Sequence, residues 1–225
     1  MLEAMVGCKN DQYTYDQTLK KITAVNAPLK RNYRSAIAKR QKEFMVREAR
    51  QHIFQTLEND LLEEWYGTEW DLNGYTEKPR QGKIACGYFV SIVLRDLGFN
   101  LNQKTLGQQA SERIILSLVK NPDNVKRYGG YTIETFKKEV LKQGDGWYIL
   151  GLDTHVGFVK VSGDNAYMIH ASQGKTLFKS GVKKEKLEES AVVIDSDYRV
   201  IGKISAEDAL IKKWLLNERI KIRTD

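Results

Sequence analysis

The sequence predicts an α+β fold with an antiparallel sheet, and the order of its patterns is the evidence. The first half of the chain carries apolar residues at helical spacing, and the second half carries short apolar or alternating segments separated by turn residues. Helices followed by a run of strands are typical of α+β domains. A length of 225 residues and a hydrophobic fraction of 41% suit one globular domain with or without an extension.

The N-terminus predicts an extended arm or tether over residues 1–32, followed by a single domain over residues 33–225. Residues 9–32 are polar, contain Pro28 and show no clear period. The sequence VGC, which ends at Cys8, resembles the junction of a bacterial lipoprotein, where this cysteine would carry a lipid and tether the chain to a membrane. The apolar stretch before it is too short to act as a signal. A truncated start and a chance match therefore both stay open.

An extra N-terminal helix is expected from Tyr33 to Trp65. Apolar residues recur there at multiples of four, at Ile37, Met45, Ala49, Ile53, Leu57, Leu61 and Trp65. The first half of this helix is basic, which indicates either a solvated helix face or a site for a polyanion. His52 lies beside the apolar positions, and we expect it to be a partly buried structural histidine.

The segment QGKIACGYFVSIVLRDLGF, from Gln81 to Phe99, predicts a buried amphipathic helix with a cysteine at its start. Cys86 would lie in the first turn. A thiol in that position is either a small core hydrophobe or a nucleophile whose thiolate is stabilised by the positive end of the helix. The chain has two cysteines and no Cys/His cluster of metal-site spacing, so neither a disulfide framework nor a bound metal is expected.

The remaining elements follow from turn signals and changes of period. Residues 107–142 predict one or two helices around a break at Asn121-Pro122. Apolar or alternating segments predict strands at 146–151, 154–161 and 166–172, with another strand or a pair within 191–204. Residues 205–218 predict a helix with Ser205 as N-cap and Asp208 in the position of a capping-box acid, and residues 219–224 predict a closing strand.

Two of the three histidines are expected to share one face of a hairpin. The turn sequence SGDN, residues 162–165, predicts a loop that places Gly157 opposite His170. His155 lies two residues before Gly157, so it points to the same face and becomes a diagonal neighbour of His170. An odd-numbered loop without a bulge would separate the two rings. A polar site explains such a pair better than a hydrophobic core does.

Cys86, His155 and His170 together supply the groups of a thiol protease. A free cysteine is mostly protonated at neutral pH, and a histidine that takes its proton forms a thiolate–imidazolium pair. A second polar residue on the other ring nitrogen fixes the tautomer and the direction of the ring. Gly87, next to the cysteine, is expected to leave room for a substrate.

Five segments in order resemble the NlpC-type cell-wall peptidases, a bacterial branch of the papain-like fold. ACGYFVSIVLRDLGF resembles the family's Asp-Cys-Ser-Gly-Phe-Val nucleophile helix, HVGFV its His-Val-Gly-Ile-Tyr strand, and MIHAS its Ile-His-Ala-Ser strand. QGDG before WYILG is similar to the step that leads into the first central strand, and YGTEWDLNG is similar to the Gly-x-Pro-Tyr-x-x-Gly-Gly loop. The resemblance covers about residues 57–194. It departs from the family where Ala85 replaces the usual Asp and Gly87 the usual Ser.

The resemblance implies a papain-like fold in which the nucleophile helix packs on a central antiparallel sheet. It implies Cys86 as the nucleophile, His155 as the base and His170 as the orienting third member. The loop tyrosine that lines the family's site corresponds to Trp70, with Tyr66 nearby as a substitute, and ordinary packing is the alternative for both rings. No metal and no organic cofactor is implied.

The implied activity is that of a cysteine hydrolase that cleaves amide bonds in peptidoglycan peptides within the cell envelope. Three alternatives stay open: an amidase or acyltransferase of the same fold on a non-murein substrate, a non-catalytic wall-binding module, and a cytoplasmic enzyme that acts on soluble peptides. A net charge of +7 favours anionic partners. The charge is spread along the chain without an RNA-binding motif, so nucleic acid is not an expected partner. The sequence does not indicate an oligomeric state.

Overall fold

A six-stranded antiparallel sheet with helices on both faces forms the fold, and the computed structural model describes residues 14–174 and 180–224. The helices are α1 (Tyr15–Ser35), α2 (Lys39–Thr56), α3 (Leu62–Trp65), α4 (Cys86–Asp96), α5 (Gln103–Gly107), α6 (Ser111–Leu118), α7 (Ile133–Lys142), α8 (Ala191–Ile194) and α9 (Asp208–Leu216). The strands are β1 (Glu69–Trp70), β2 (Lys83–Ile84), β3 (Val125–Gly129), β4 (Gly146–Leu152), β5 (Val156–Ser162), β6 (Asn165–Ser172), β7 (Gly181–Lys186) and β8 (Tyr198–Gly202). The predicted α+β class is confirmed.

The sheet has the strand order β3-β8-β4-β5-β6-β7, and every pair in it is antiparallel. Strands β1 and β2 form a separate short parallel pair. The three strands expected from the apolar segments are β4, β5 and β6. The segment 191–204 yields one of the two outcomes expected for it, a single strand, β8, which the short helix α8 precedes, while β3 and β7 were not foreseen.

Both faces of the sheet are buried, which explains why its central strands are almost continuously apolar. One face packs against the helices that precede the sheet, and the ring of Phe89 on α4 lies edge-on to Phe158 on β5 with 5.9 Å between their centroids. The opposite face packs against α7 through Phe136 and Val140. Helix α4 is therefore fixed to the sheet directly beside strand β5, as the predicted nucleophile helix requires.

Residues 15–32 correct the predicted arm, because they belong to helix α1. Its buried residues follow helical spacing, at intervals of three, four, four and seven positions, and include the polar Thr18 and Asn26. The Asn26 side-chain amide donates to the Leu97 carbonyl, and the hydroxyl of Tyr15 donates to Asp96 Oδ2 at 2.6 Å. Because polar residues occupy some of the buried positions, the spacing of apolar residues alone does not reveal this helix. The predictions for residues 1–13 and for a lipid on Cys8 lie outside the described residues.

The helix expected from Tyr33 to Trp65 begins later than predicted. Helix α2 starts at Lys39, and a π-helical turn, Leu57–Leu61, joins it to α3. Ile37 lies in the turn before α2 and is 95% exposed, so it is not part of the core. His52 is half-buried with its Nε2 2.8 Å from Asn26 Oδ1, which confirms the structural role expected for it.

Two further segments differ from the prediction. Residues 107–142 contain α6, β3 and α7, because the Asn121-Pro122 break leads into an extended strand that pairs with β8. Ser205 is not an N-cap: its hydroxyl accepts the Trp147 N–H at 2.9 Å, and α9 begins at Asp208. Residues 219–224 form no strand. Within the described residues, no helix combines the length and the apolar character that crossing a membrane requires.

Candidate active site

Cys86 is the first residue of α4, and its thiol is half-buried beside strand β5. Burial raises the pKa of the Cys86 thiol, and hydrogen bonds from the backbone N–H groups of Val156, Gly87 and Cys86 itself act in the opposite direction. The net direction is upward. The Val156 contact matters for geometry, because it places the sulfur directly beside the residue that follows His155.

Gly87 serves helix packing, which corrects the expectation that it leaves room for a substrate. The residue is buried, and a Cβ built on it would lie 2.1 Å from the carbonyl oxygen of Gly107 on α5. Helix α4 therefore touches the α5 backbone at a point where only glycine fits. The same contact explains why a serine cannot stand at this position.

The hairpin between the two histidines has the predicted even register. Val161 pairs with Ala166 and Ser162 with Asn165, so the turn residues are Gly163 and Asp164. Gly163 has a φ of +55°, as the first residue of such a two-residue turn requires. This register brings Gly157 opposite His170, and a Cβ built on Gly157 would lie 2.8 Å from the His170 Cβ.

The two histidine rings are in direct contact. His155 Nε2 lies 2.8 Å from His170 Nδ1, the ring centroids are 4.9 Å apart, and the ring planes are at 89°. His170 is fully buried, whereas His155 is half-buried at the start of β5. The structure therefore brings together the predicted base and its predicted orienting partner.

A fourth residue, Glu185 on β7, completes the chain of hydrogen bonds. Its Oε1 lies 3.0 Å from His170 Nε2, and its Oε2 lies 3.0 Å from Lys183 Nζ. Burial raises the pKa of Glu185, but hydrogen bonds from His170, Ser190 and Lys183 outweigh burial and hold the pKa at about 2. The sequence reasoning missed this residue because the strand GVKKEK lacks the apolar alternation of a buried strand.

The charge of Glu185 determines which ring nitrogens carry protons. An ionised carboxylate only accepts hydrogen bonds, so His170 must carry its proton on Nε2. Neutral His170 then accepts at Nδ1, and His155 must donate from Nε2. His155 is left with an unprotonated Nδ1. The hydrogen-bond chain thus specifies the ring nitrogen that can take a proton from a thiol.

The resting protonation state differs from the expected ion pair. Burial lowers the pKa of His155, and the nearby His170 and Lys183 lower it further, while Glu185 opposes them. Burial also lowers the pKa of His170, against the effect of Glu185. Together with the raised pKa of Cys86, these directions indicate a neutral thiol and a neutral imidazole. Among the described residues no hydrogen bond joins Cys86 to His155, and the link between them is the Val156 N–H that donates to the thiol. The proton would then move during attack on a substrate.

A cleft of about 370 Å³ lies beside His155. Trp70 and Leu72 form one wall of it, and the residues after strand β4 form another. Tyr66 does not line this cleft: it is half-buried against the core, and burial together with Glu63 and Glu58 raises its pKa to about 12. Of the two aromatic residues proposed for the rim, Trp70 is the one that faces the cleft.

Residues 14–174 and 180–224 contain no group of three histidine, cysteine or acidic side chains that could hold a metal ion. Comparisons of the chain with protein-family models, with curated proteins and with solved structures found no match.

Proposed function

We propose that the protein is a papain-like cysteine hydrolase that cleaves amide bonds, with Cys86 as nucleophile and His155 as general base. The observation that carries the proposal is the hydrogen-bonded chain His155–His170–Glu185, together with the hydrogen bond from the N–H of Val156, the residue after His155, to the Cys86 thiol at the start of α4. A histidine pair that is buried, aligned and backed by a carboxylate is the arrangement that orients a general base.

In the first step the Cys86 sulfur bonds to the substrate carbonyl carbon while the thiol proton passes to His155 Nδ1. The carbonyl oxygen becomes an oxyanion, which the backbone N–H of Cys86 helps to stabilise. The C–N bond then breaks, and the leaving amine takes the proton from His155. Water, deprotonated by His155, attacks the thioester carbon and releases the acid and the free thiol.

Glu185 and His170 keep the base correctly oriented through this cycle. When His155 takes the thiol proton, its positive charge is stabilised through His170 by the Glu185 carboxylate. Lys183 Nζ lies 3.0 Å from Glu185 Oε2, and its positive charge weakens the attraction between Glu185 and the protonated His155. His170 and Glu185 therefore act as positioning residues, and neither needs to touch the substrate.

We infer that the substrates are peptidoglycan peptides and that the protein works in the cell envelope, by resemblance to the NlpC-type peptidases. The support is the order of the segments around Cys86, His155 and His170. Of the two departures at the nucleophile, Gly87 follows from the contact of α4 with α5. The other, Ala85, has no structural explanation in the packing around it.

The experiment is digestion of purified murein, with mass analysis of the released muropeptides, by the wild type and by Cys86→Ala. Each bond that the wild type cleaves is expected to take up one water, giving one product with a new carboxyl group and one with a new amino group, and Cys86→Ala is expected to cleave none. Lys142→Ala, on the far face of the sheet, serves as a folded control. Identical fragment patterns from wild type and Cys86→Ala would contradict the proposal. If the wild type cleaves other amides but does not cleave murein, the proposed hydrolase activity is retained and peptidoglycan is rejected as its substrate.

A further inference from the structure

We propose that a basic cavity between helices α1, α2 and α9 binds a phosphate group that is carried on an apolar stem. The cavity has a volume of about 640 Å³, which lies within the range of small-molecule sites. It shares no lining residue with the cleft beside His155. The inference therefore concerns a second site and does not depend on the proposed hydrolase activity.

Positive charge dominates the lining of this cavity. Four cationic side chains on α2 and one on α9 line it together with two carboxylates, Glu43 and Asp208. Glu43 pairs with Lys39 at 4.0 Å, and Asp208 pairs with Arg50. Pairing thus neutralises two of these cations and leaves an excess of three positive charges around one cavity.

The three remaining cations are Lys42, Arg47 and Lys212, and none of them forms an ion pair in the described part of the chain. Lys42 Nζ lies 5.7 Å from the centroid of the Tyr33 ring, which holds this lysine beside the buried end of α1. Lys212 belongs to α9, so the positive charge is more than the solvated face of one helix. Because like charges repel one another, an anion that binds between these side chains offsets their repulsion.

Arg50 supplies an independent observation. Its Nη2 contacts Asp208 Oδ1, but its Nε is buried and has no hydrogen-bond partner among the residues that the structure describes. Buried N–H donors are normally paired, so Asp208 alone leaves this guanidinium incompletely satisfied. The Arg50 side chain lines the cavity and is 28% exposed, so rotation about its outer bonds can bring Nε to a ligand. A phosphate has enough acceptor oxygens to serve Arg50 and a lysine together.

The start of α2 adds to the positive field beside the cavity. Its N-cap, Ala38, makes no side-chain cap, and its first turn contains Lys39, Arg40 and Lys42 but no acidic residue. Cations are unfavourable at the positive end of a helix, and anions are favourable there. The charge pattern of this helix end therefore favours the same kind of ligand as the cavity.

The apolar part of the lining indicates a stem on the phosphate group. Tyr33 and Val46 are buried, and Ile37, in the turn before α2, exposes nearly its whole side chain. A phosphate monoester, which carries close to two negative charges at neutral pH, matches both the excess of cations and this apolar surface. A soluble phosphate ester and the headgroup of a phosphomonoester lipid share this chemistry.

Binding is measured on the full chain with two kinds of probe. Calorimetry compares hexyl phosphate with hexanol, and co-sedimentation compares phosphatidylcholine vesicles with and without phosphatidic acid. Hexyl phosphate is expected to bind at least about tenfold more tightly than hexanol, and its affinity should fall as the ionic strength rises. Binding of the soluble ester identifies a soluble ligand, whereas binding of phosphatidic acid vesicles alone identifies a lipid headgroup.

Three variants, each changing one charge, test whether the cavity is the binding site. Lys212→Gln removes an exposed cation and is expected to weaken binding about fivefold, and Glu43→Gln removes a carboxylate and is expected to strengthen binding by a similar factor. Lys126→Gln, at an exposed position of β3, changes the net charge as Lys212→Gln does and is expected to leave binding unchanged. Binding of neither phosphate probe would overturn the inference. An equal loss of binding in Lys212→Gln and Lys126→Gln would also overturn it.

Discussion

Replacing Glu185 tests the most specific feature of the site, which is the direction of the hydrogen-bond chain. In Glu185→Ala, His170 loses the acceptor that holds its proton on Nε2. Either nitrogen of His170 can then carry the proton, and one of the two states forces His155 to carry its own proton on Nδ1. In that state His155 cannot accept the proton of Cys86.

The size of the effect follows from the contact that is lost. Hydrogen bonds to charged groups contribute roughly 1.5–3 kcal/mol, so a loss of about 2 kcal/mol corresponds to roughly a 30-fold lower kcat. Glu185→Gln can still accept through its amide oxygen and loses only the charge. We expect its loss to be about 1 kcal/mol, or roughly fivefold. KM should change little in either variant, since Glu185 does not line the cleft beside His155.

The assay pairs kinetics with nitrogen NMR of the histidine rings. The wild type should show His155 with an unprotonated Nδ1, and Glu185→Ala should show a mixture of both tautomers. Glu189→Ala is the matched control, because this glutamate pairs with Lys186 and its side chain is 62% exposed. Exposed ion pairs of this kind contribute about 0–1 kcal/mol, so its activity should match the wild type.

Two results would refute the reasoning. One is a wild-type His155 that carries its proton on Nδ1. The other is a correctly folded Glu185→Ala, judged by its thermal unfolding, that keeps kcat within about threefold of the wild type. A merely structural role for Glu185 predicts a lower melting temperature without a change of tautomer.

Four further predictions concern the thiol, the histidines, the helix contact and the cleft. In a Cys8→Ser background, alkylation of Cys86 by iodoacetamide should reach its midpoint above the pH of a free thiol, because burial raises the pKa of Cys86; a plateau in the acid range would indicate an ion pair instead. The pKa values of His155 and His170 are below the ordinary 6.5 in the folded protein. As the pH falls below about 6.5, these histidines therefore bind more protons in the unfolded chain than in the folded protein. The free energy of unfolding should then fall by up to about 1.4 kcal/mol for each pH unit of acidification and for each histidine. Urea titrations at several pH values should show that this free energy depends less steeply on pH in His170→Gln than in the wild type. Gly87→Ala should lower the free energy of unfolding by about 1–3 kcal/mol in the same titrations, because its Cβ would overlap the Gly107 carbonyl; unchanged stability would disprove the tight contact. Trp70→Ala should lower kcat/KM with little change in melting temperature, whereas equal turnover would remove Trp70 from the substrate site.

The sequence predicted those parts of the fold that depend on local chemistry. The register between His155 and His170 follows from the turn residues, and the start of α4 follows from apolar spacing after Cys86. Helix α1 was missed because Thr18 and Asn26 occupy buried positions, where their side chains make hydrogen bonds to distant residues. The partners, Glu64 and Leu97, are distant in the sequence, so no local pattern of residues reveals these hydrogen bonds.

Glu185 was missed for a related reason. Strand β7 has charged or polar side chains at four successive positions, from Lys183 to Lys186, which are typical of a solvated segment or a protected sheet edge. Its role depends on the β6–β7 register, which pairs Met168 with Glu185 and His170 with Lys183. Glu185 is thereby a diagonal neighbour of His170 on the same face of the sheet. Only the pairing of the strands reveals this relation.

Gly157 connects the local and the long-range parts of the site. It stands opposite His170, and a Cβ there would come within 2.8 Å of the His170 Cβ and 2.9 Å of the Ile169 carbonyl oxygen. A larger residue would push β5 and β6 apart where His155 must reach His170 across the diagonal. The hydrogen bond between the rings of His155 and His170 therefore requires a glycine at position 157. Since that bond transmits the orientation set by Glu185, one missing side chain on β5 allows a carboxylate on β7 to determine which nitrogen of His155 is free to accept a proton, as the proposed mechanism requires.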